Sequence, residues 1–374
     1  MIRHGECFDV VVIGAGAVGL AVAHGLNQRG HTVCVVDEGD FSFKASRGNF
    51  GLVWVQGKGA RNRAYGRWTM DAAEQWPAFA ASLLALTGVD VGLSHPGGFT
   101  ICLDEQELQA RADLLGAMKA LVGDDFAYQV LNAVETGERL PGVSGNIAGS
   151  VFCPLDRHVN PLMLLRALSK AHSQAGGGWL AGSAVDEIVS DADGGYLIRA
   201  GASSMRARKV VLCAGLGNRV LAQRLGVDVP VRPVRGQIMI TERIAPFLQC
   251  PTLHVRQTGD GTVQIGDSKE EVGFDDGTSM EQLSRIARRA VRCFPGLRDV
   301  RVVRSWGALR VMSQDGYPIY AEPERYAGLY VVTCHSGITL APLHASTVAQ
   351  WIGGGERPDG ISEFRLSRFQ ASAH

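Results

Sequence analysis

Residues 9–20 of this chain read DVVVIGAGAVGL, and a second apolar run, VCVVDE, occupies residues 33–38. The apolar residues before the first glycine predict a buried parallel strand, and the glycines predict the start of a helix that continues to about Arg29. The second run predicts the next strand of the same sheet. This pattern favours a site for the pyrophosphate of a dinucleotide, because a helix N-terminus offers free N–H groups and the positive end of its dipole.

Each glycine of this turn has an expected role. Gly14 permits a tight turn, Gly16 lets the backbone approach the pyrophosphate, and Gly19 lets the helix pack closely on the strand. Asp37 closes the second strand roughly 20 residues further on, where a carboxylate accepts hydrogen bonds from a ribose diol. The residues assigned to this part of the site are Gly14, Gly16, Ala17, Val18, Gly19, Asp37 and Glu38. The motif alone does not distinguish NAD from FAD.

The composition argues against several classes of partner. The 374 residues include 37 Lys and Arg and 37 Asp and Glu, so the formal net charge is zero, and there is no basic block for nucleic acid or an anionic membrane. No uninterrupted apolar stretch reaches the roughly 18 residues of a transmembrane helix. The apolar run at residues 10–23 follows acidic residues instead of a basic segment, so the glycine motif explains it better than a signal peptide does.

The eight cysteines lie far apart along the chain. No two have the spacing of a metal, iron–sulfur or redox dithiol site, so we predict no metal centre. We interpret them as free thiols of a cytoplasmic protein.

Regions of α/β character alternate with two β-rich insertions. Helices are predicted at about residues 62–86, 105–121, 161–170, 279–293 and 338–351, and a hairpin turn is predicted at residues 191–195. Pro77 is expected to start or kink the later part of the first of these helices. We expect an α/β fold in which a discontinuous Rossmann-like domain is interrupted by a β-sheet-rich α+β substrate domain. The nucleotide domain is assigned to residues 1–88, 150–229 and 318–374, and the substrate domain to residues 89–149 and 230–317.

Four further segments carry a recognisable pattern. Residues 45–51 read ASRGNFG, residues 211–215 read VLCAG, residues 305–318 read SWGALRVMSQDGYP, and residues 334–342 read CHSGITLAP. Together with the glycine-rich turn, and in this order, they resemble the D-amino-acid oxidase family of flavoproteins, which includes glycine oxidase and sarcosine oxidase. The resemblance spans nearly the whole chain and implies FAD as the cofactor.

The resemblance implies a role for each segment. The first is similar to a loop that wraps the pyrophosphate and the flavin, and the second to a strand end that passes the adenine half of FAD. The fourth is similar to a turn that faces N1 and O2 of the isoalloxazine, where a helix N-terminus would stabilise the negative charge of a reduced flavin. The cofactor-binding residues implied in this way are Ser46, Arg47, Asn49, Gly51, Val185, Cys213, Ala214, Gly215, Gly337, Ile338 and Thr339.

The third segment departs from the family pattern at two points. Val311 replaces the proline that commonly follows the substrate arginine. Residues 307–314 contain no cysteine, whereas the sarcosine oxidase branch attaches its flavin to a cysteine there. We therefore expect non-covalent FAD.

Arg310 is the main candidate for substrate binding. The resemblance implies that it binds the substrate carboxylate, and a guanidinium matches a carboxylate with two parallel N–H bonds. His335 abuts the turn that faces the flavin, and it either contacts the active site or packs beside it. His158 leads into a predicted helix, and we interpret it as structural.

Residues 253–258 read LHVRQT and residues 266–271 read GDSKEE. Within the family, these strings most resemble the flavin (β) subunits of bacterial opine and D-hydroxyproline dehydrogenases. Arg256 or His254 either lines the substrate pocket or has a cross-strand structural role.

The resemblance implies an FAD-dependent oxidoreductase that oxidises the C–N bond of an amino acid or a secondary amine, such as an opine, a D-amino acid or an imino acid like hydroxyproline. Hydride would pass to flavin N5. We favour a dehydrogenase β subunit that works in a hetero-oligomer with redox partner subunits. The alternative is a self-sufficient glycine or D-amino-acid oxidase that produces hydrogen peroxide.

Two other classes of flavoprotein are less favoured. A tRNA-modifying flavoprotein would have a basic face, which the neutral net charge argues against. A non-catalytic FAD subunit predicts a degenerate substrate site, which Arg310 argues against.

Overall fold

The fold was analysed in a computed structural model that describes residues 5–39, 44–94, 96–191 and 194–372. The strands, in chain order, are β1 (Glu6–Ile13), β2 (Val33–Asp37), β3 (Leu52–Val53), β4 (Gly98–Cys102), β5 (Gln129–Asn132), β6 (Gly149–Cys153), β7 (Arg157–His158), β8 (Gly178–Ala181), β9 (Glu187–Ser190), β10 (Tyr196–Ala200), β11 (Ser203–Leu212), β12 (Val231–Arg243), β13 (Val255–Gln257), β14 (Thr262–Gly266), β15 (Val302–Ser313), β16 (Ile319–Ala321) and β17 (Leu329–Thr333).

The α-helices, in chain order, are α1 (Ala17–Asn27), α2 (Arg63–Thr87), α3 (Glu105–Val122), α4 (Ala133–Arg139), α5 (Pro161–Gln174), α6 (Gly217–Gln223), α7 (Met280–Cys293), α8 (Ala341–Leu343) and α9 (Ala349–Gly353). A π-helical turn, His344–Val348, joins α8 to α9. Short 3₁₀ helices lie at Pro295–Leu297, Asp359–Phe364 and Leu366–Ser372.

The main sheet has the strand order β16-β17-β11-β1-β2-β8, and all of these strands except β16 run parallel. The antiparallel hairpin of β9 and β10 extends it beside the first half of β11. The central strands β1 and β2 are buried on both faces, which is why residues 10–13 and 33–36 form continuous apolar runs. One face packs against α1, α2, α5 and the C-terminal helices. The expected α/β fold is therefore observed.

The carboxyl ends of the parallel strands meet at one edge of this sheet. Gly14 follows β1, Asp37 ends β2, Cys213 follows β11, and Cys334 follows β17. Ligands of open α/β sheets bind outside this edge. The glycine-rich turn, Asp37 and the segments that begin at residues 211 and 334 thus lie at neighbouring points of this edge.

The β-rich insertions form two antiparallel sheets, with strand orders β13-β14-β12-β15 and β4-β6-β5. They share an apolar core with α7, and they are joined where the N–H of Phe99 donates to the Pro251 carbonyl at 3.0 Å. The domain boundaries remain a prediction, and residue 150, predicted as one of them, lies within β6.

Two local predictions can be compared with the structure. Asn160 caps α5 as expected, because its side chain accepts the N–H of Leu162 at 3.0 Å. Pro77 does not start a separate helix, since α2 continues through it. Proline leaves the carbonyl four residues earlier without its N–H donor, and Arg157 Nε supplies one to the Ala73 carbonyl at 2.9 Å.

The hairpin predicted around residues 191–195 is present as β9 and β10, although residues 192 and 193 lie outside the described part. No helix of the described ranges combines the length and the apolar character needed to cross a membrane.

Candidate cofactor and substrate site

The glycine-rich turn between β1 and α1 is closely packed on one side and open on the other. Gly14 has a φ of +109°, and a Cβ there would lie 2.5 Å from the Cys213 carbonyl oxygen. A Cβ on Gly19 would collide with the Gly14 carbonyl. A Cβ on Gly16 would meet only Ser46 Oγ, at 3.1 Å. Packing therefore requires glycine at positions 14 and 19, while the side of Gly16 leaves room for a ligand.

Asp37 lies beside this turn at the end of β2. Its Oδ2 accepts the N–H of Ala15 at 2.7 Å, and its Oδ1 accepts the N–H of Gly39 at 2.8 Å. Each carboxylate oxygen has a second lone pair, so both can still accept a hydrogen bond from a ribose hydroxyl. The Asp37 carbonyl accepts the N–H of Ser183 at 3.0 Å, which brings the segment leading to Val185 to the same end of the sheet.

The loop of residues 44–51 crosses the start of α1. Ser46 Oγ accepts the N–H of Ala17 at 3.0 Å, and Asn49 Oδ1 accepts the N–H of Gly51 at 2.7 Å. The loop also contacts the β-rich region, because Trp306 Nε1 donates to the Gly48 carbonyl at 3.2 Å. The predicted cofactor residues Arg47 and Glu38 are exposed, and Glu38 pairs with Lys44 at 2.7 Å.

The strand ends predicted to pass the adenine and the flavin both reach the glycine-rich turn. The N–H of Cys213 donates to the Ile13 carbonyl at 2.8 Å, and Ala214 and Gly215 follow it. A Cβ on Gly337 would lie 3.0 Å from Val18 Cγ2, at the start of α1. The ends of β11 and β17 thus meet the glycine-rich turn at one surface of the sheet edge, although Cys213, Ile338 and Thr339 are themselves buried.

Lys58 is a candidate that the sequence analysis missed. Its Nζ donates to Ser336 Oγ at 2.8 Å and to Thr339 Oγ1 at 3.1 Å, on the turn after β17. Tyr65 Oη also shares a hydrogen bond with Ser336 Oγ, at 2.6 Å. No carboxylate of the described residues forms an ion pair with Lys58, and burial lowers the pKa of its ammonium to about 8. The only signal in the sequence was a lysine between Gly57 and Gly59, which both have a positive φ.

A buried polar network holds the segment that carries Lys58. Asp156 accepts the N–H of Val55 and the Nε2 of Gln56, both at 2.6 Å, and Arg111 Nη2 donates to Gln56 Oε1 at 2.9 Å. Burial raises the pKa of Asp156 to about 7. These hydrogen bonds fix the position of the backbone at Val55 and Gln56, just before Lys58.

His335 shows that a cleft enters the molecule at this point. Protein atoms surround it on many sides, yet much of its surface is accessible to solvent, and Lys58 and Cys334 are likewise deep but partly accessible. Burial, followed by the positive charges of Lys58 and Arg310, lowers the pKa of His335 to about 3. The imidazole is therefore neutral around pH 7.

Arg310 extends from β15 across β12. A Cβ on Gly236 would collide with its guanidinium, so the glycine of β12 makes room for it. Its Nη1 donates to the carbonyls of Arg235, at 3.0 Å, and Ser268, at 2.8 Å, and its Nη2 lies 2.5 Å from Asp267 Oδ2. The charge of Arg310 also acts on His335, whose pKa it helps to lower.

Arg256 has contacts that fit the structural alternative. The residue is 2% exposed; its Nε donates to the Phe50 carbonyl and to Gln264 Oε1, and its Nη1 lies 3.2 Å from His158 Nδ1. Burial lowers the pKa of Arg256 to about 9 and that of His158 to about 3. His254 is half-buried nearby, and burial lowers its pKa to about 4.

The donors of this surface fit an anionic dinucleotide such as FAD. The backbone of Gly16 is open to a ligand, the Lys58 ammonium lacks a carboxylate, and the buried Trp54 Nε1 has no hydrogen-bond partner in the described structure. A buried donor without a partner is unfavourable in a folded protein, and a ligand acceptor would relieve it. Thr339 Oγ1, which accepts from Lys58, also accepts the backbone N–H of Trp54 at 3.2 Å.

Comparison with known proteins supports the same assignment. The model of the DAO family, described as FAD dependent oxidoreductase, matches residues 9–351. A relative from Agrobacterium tumefaciens (strain Ach5), which is one of the subunits of opine oxidase, is 40% identical over 364 residues that cover 97% of this chain and 98% of the relative. Glycine oxidase of Geobacillus kaustophilus (strain HTA426) is 27% identical over 369 residues, covering 96% and 97% of the two chains.

The fold comparison gives the same result. The crystal structure of glycine oxidase from Geobacillus kaustophilus superposes with a TM-score of 0.89 and 26% identity, and the match covers 98% of this chain and 99% of the other. The expected fold class and the family resemblance are therefore confirmed, and FAD is the cofactor of the family.

Proposed function

Because this chain belongs to the DAO family of FAD-dependent oxidoreductases, we propose that it oxidises the C–N bond of an amino acid or a secondary amine. Opines, D-amino acids and imino acids such as hydroxyproline are the substrates we consider. The observation that carries this proposal is the guanidinium of Arg310, which is fixed by two backbone carbonyls and whose charge acts on His335.

In the proposed reaction, Arg310 holds the substrate carboxylate and thereby orients the α-carbon. A guanidinium whose Nη1 is fixed by two carbonyls has a defined plane, so it restricts how the carboxylate can sit. His335 is neutral, and it contributes a polar wall without a competing charge. FAD, when bound, takes up the hydride equivalent from the α-carbon. Loss of the hydride leaves an iminium, which releases its N–H proton to water to give an imine; water converts the imine to an oxo acid and an amine unless it is cyclic.

We propose non-covalent FAD, held along the surface that joins Gly16, Asp37, Ser46 and Gly337. Lys58 and the turn after β17, which contact each other through Ser336 and Thr339, would hold the pyrimidine side of the isoalloxazine. A lysine ammonium there would favour the negative charge of the reduced flavin.

The electron acceptor divides this proposal into two forms. The relative in Agrobacterium tumefaciens is described as a subunit, which supports a multi-subunit enzyme in which a partner chain takes the electrons. The full-length similarity to glycine oxidase supports the second candidate, a self-sufficient oxidase that passes electrons to oxygen. We favour the multi-subunit form, because this chain is 40% identical to the opine oxidase subunit and 27% identical to glycine oxidase.

Anaerobic reduction of the flavin tests the reaction. The purified holoprotein is mixed without oxygen with a panel of amino acids, imino acids and opines, and the bleaching of the visible flavin absorbance is followed. We expect at least one carboxylate-bearing amine to bleach the flavin, and bleaching by none of them would contradict the proposal.

Re-oxidation then distinguishes the two forms. The substrate-reduced chain is exposed to air and, separately, to an artificial electron-accepting dye. Slow re-oxidation by air with fast transfer to the dye supports the multi-subunit form. Rapid, stoichiometric peroxide formation at the turnover rate would instead support the self-sufficient oxidase.

A further inference from the structure

Arg310 already has a carboxylate partner within the protein. Asp267 directly follows β14, and its Oδ2 lies 2.5 Å from Arg310 Nη2. The side chains of Arg310 and Asp267 are 18% and 32% exposed, so the ion pair is partly open to solvent. A substrate carboxylate that reaches Arg310 therefore also meets Asp267.

Asp267 differs from the other acidic residues that follow it in this segment. Glu270 and Asp275 are both paired with Arg235, at 2.8 Å and 2.5 Å. Asp267 has one ion-pair partner, Arg310, its charge also acts on His254, and its Oδ1 has no hydrogen bond to any residue that the structure describes. One carboxylate oxygen beside the predicted substrate arginine is thus an unused acceptor.

The two opposite charges of Arg310 and Asp267 distinguish ligands that carry only a carboxylate from ligands that carry both a carboxylate and a cation. Together Arg310 and Asp267 have no net charge, so a ligand that carries only a carboxylate is attracted by one group and repelled by the other. A ligand that carries a carboxylate and a cation forms two complementary pairs instead. In a partly desolvated cleft, the second ligand avoids leaving either protein charge without a partner.

We propose that Asp267 binds a cationic group of the substrate, an ammonium or a guanidinium other than the nitrogen that is oxidised. The substrate class is therefore a carboxylate-bearing amine with a second, positively charged group. This inference rests on the proposed role of Arg310, and it adds that Asp267 determines which carboxylates the site accepts.

Ligand binding without turnover tests the proposal. The FAD-loaded protein is titrated with short alkyl carboxylates and with their ω-guanidino and ω-ammonio counterparts, and the shift of the flavin absorption bands reports binding. We expect a cation-bearing compound to bind at least about 10-fold more tightly than the alkyl carboxylate of the same length, since a second charge pair of about 1.4 kcal/mol corresponds to that factor. The Asp267→Asn variant should remove most of this preference and should bind the alkyl carboxylates more tightly.

Glu271→Gln is the matched control. Glu271 belongs to the same segment and pairs with an arginine, Arg232, at 2.7 Å, but it is 73% exposed and does not contact Arg310. The ligand ratio should be unchanged in this variant.

The outcomes separate this inference from the proposed function. If no cation-bearing compound binds more tightly than its alkyl counterpart in the unsubstituted protein, the role of Asp267 is wrong, and no variant is needed to show it. If the preference exists but survives in Asp267→Asn, another group provides it, and the proposal is again wrong. Arg310→Ala should abolish binding of the whole panel; unchanged binding there would contradict the proposed role of Arg310 instead.

Discussion

Replacing Lys58 with methionine should stabilise the FAD-free protein at neutral pH. The substitution keeps an unbranched side chain and removes a buried charge. Burial lowers the pKa of Lys58 from 10.5 to about 8, which corresponds to about 3 kcal/mol of unfavourable free energy at about 1.4 kcal/mol per pKa unit. The hydrogen bonds to Ser336 and Thr339 are lost, which offsets about 1 kcal/mol. We therefore expect Lys58→Met to be more stable by about 2 kcal/mol at pH 7.

The sign of the pH dependence follows from the same pKa values. Between pH 8 and 10.5 the unfolded chain keeps the Lys58 proton while the folded protein loses it, so the unfavourable free energy decreases as the pH rises. From about pH 7 to about pH 9.5 the decrease is about 2 kcal/mol. The advantage of Lys58→Met should therefore nearly disappear at the upper end of this range.

Urea unfolding of the FAD-free proteins at about pH 7, 8.5 and 9.5 measures this difference. Lys119→Met is the control. The side chain of Lys119 is 43% exposed, and its ion pair with Asp124 is long, at 3.7 Å. The free energy of unfolding of this variant should therefore stay within about 1 kcal/mol of that of the unsubstituted protein at each pH. Two results would refute the reasoning. The Lys58→Met variant could be less stable than the unsubstituted protein at neutral pH, or its gain in the free energy of unfolding could be the same at all three pH values. With FAD, the same variant should bind the cofactor about 10-fold more weakly, as measured by the quenching of FAD fluorescence.

Three other predictions concern the cofactor and the substrate. Gly16→Val should abolish FAD binding because its side chain occupies the side of the turn that is open to the pyrophosphate, whereas Gly145→Val, at an exposed position with no atom within 4 Å of its Cβ, should bind FAD normally. Acid precipitation should release the yellow cofactor into the supernatant, and flavin that stays with the pellet would contradict non-covalent binding. Arg310→Ala should lower kcat/KM roughly 30- to 1000-fold, which corresponds to about 2–4 kcal/mol. FAD content should not change, and Arg232→Ala, at an exposed arginine of β12, should have near-normal kinetics.

The sequence predicted the elements that depend on neighbouring residues. The turn between β1 and α1, the cap of α5 by Asn160, and the hairpin of β9 and β10 each rest on a short pattern of glycines, caps or alternating apolar residues. Such patterns determine the local backbone before any distant contact forms. Short strands with little apolar content were not predicted, and β5 (Gln129–Asn132), with one buried residue, is an example.

The parts of the site that were missed depend on residues far apart in the chain. Lys58 meets Ser336 across 278 positions, and no local pattern connects them. The pairing of Arg310 with Asp267 depends on the register of β12 with β15 and with β14. The course of α2 through Pro77 likewise required a donor, Arg157, from outside the helix.

The order of the strands in the main sheet has a consequence for how the protein is made. β1 emerges first from the ribosome, but its neighbour β11 and then β17 are synthesised much later. The 325 positions from Gly14 to Thr339 take roughly 15–65 s to translate at about 5–20 residues per second. Until β11 has been synthesised, about 10–40 s after Gly14 at the same rate, the apolar strand β1 lacks one of its two neighbours, and the nascent chain needs protection from aggregation. The cofactor can be captured in full only after the turn that follows β17 has been synthesised, so cofactor insertion is a late step in the biogenesis of this protein.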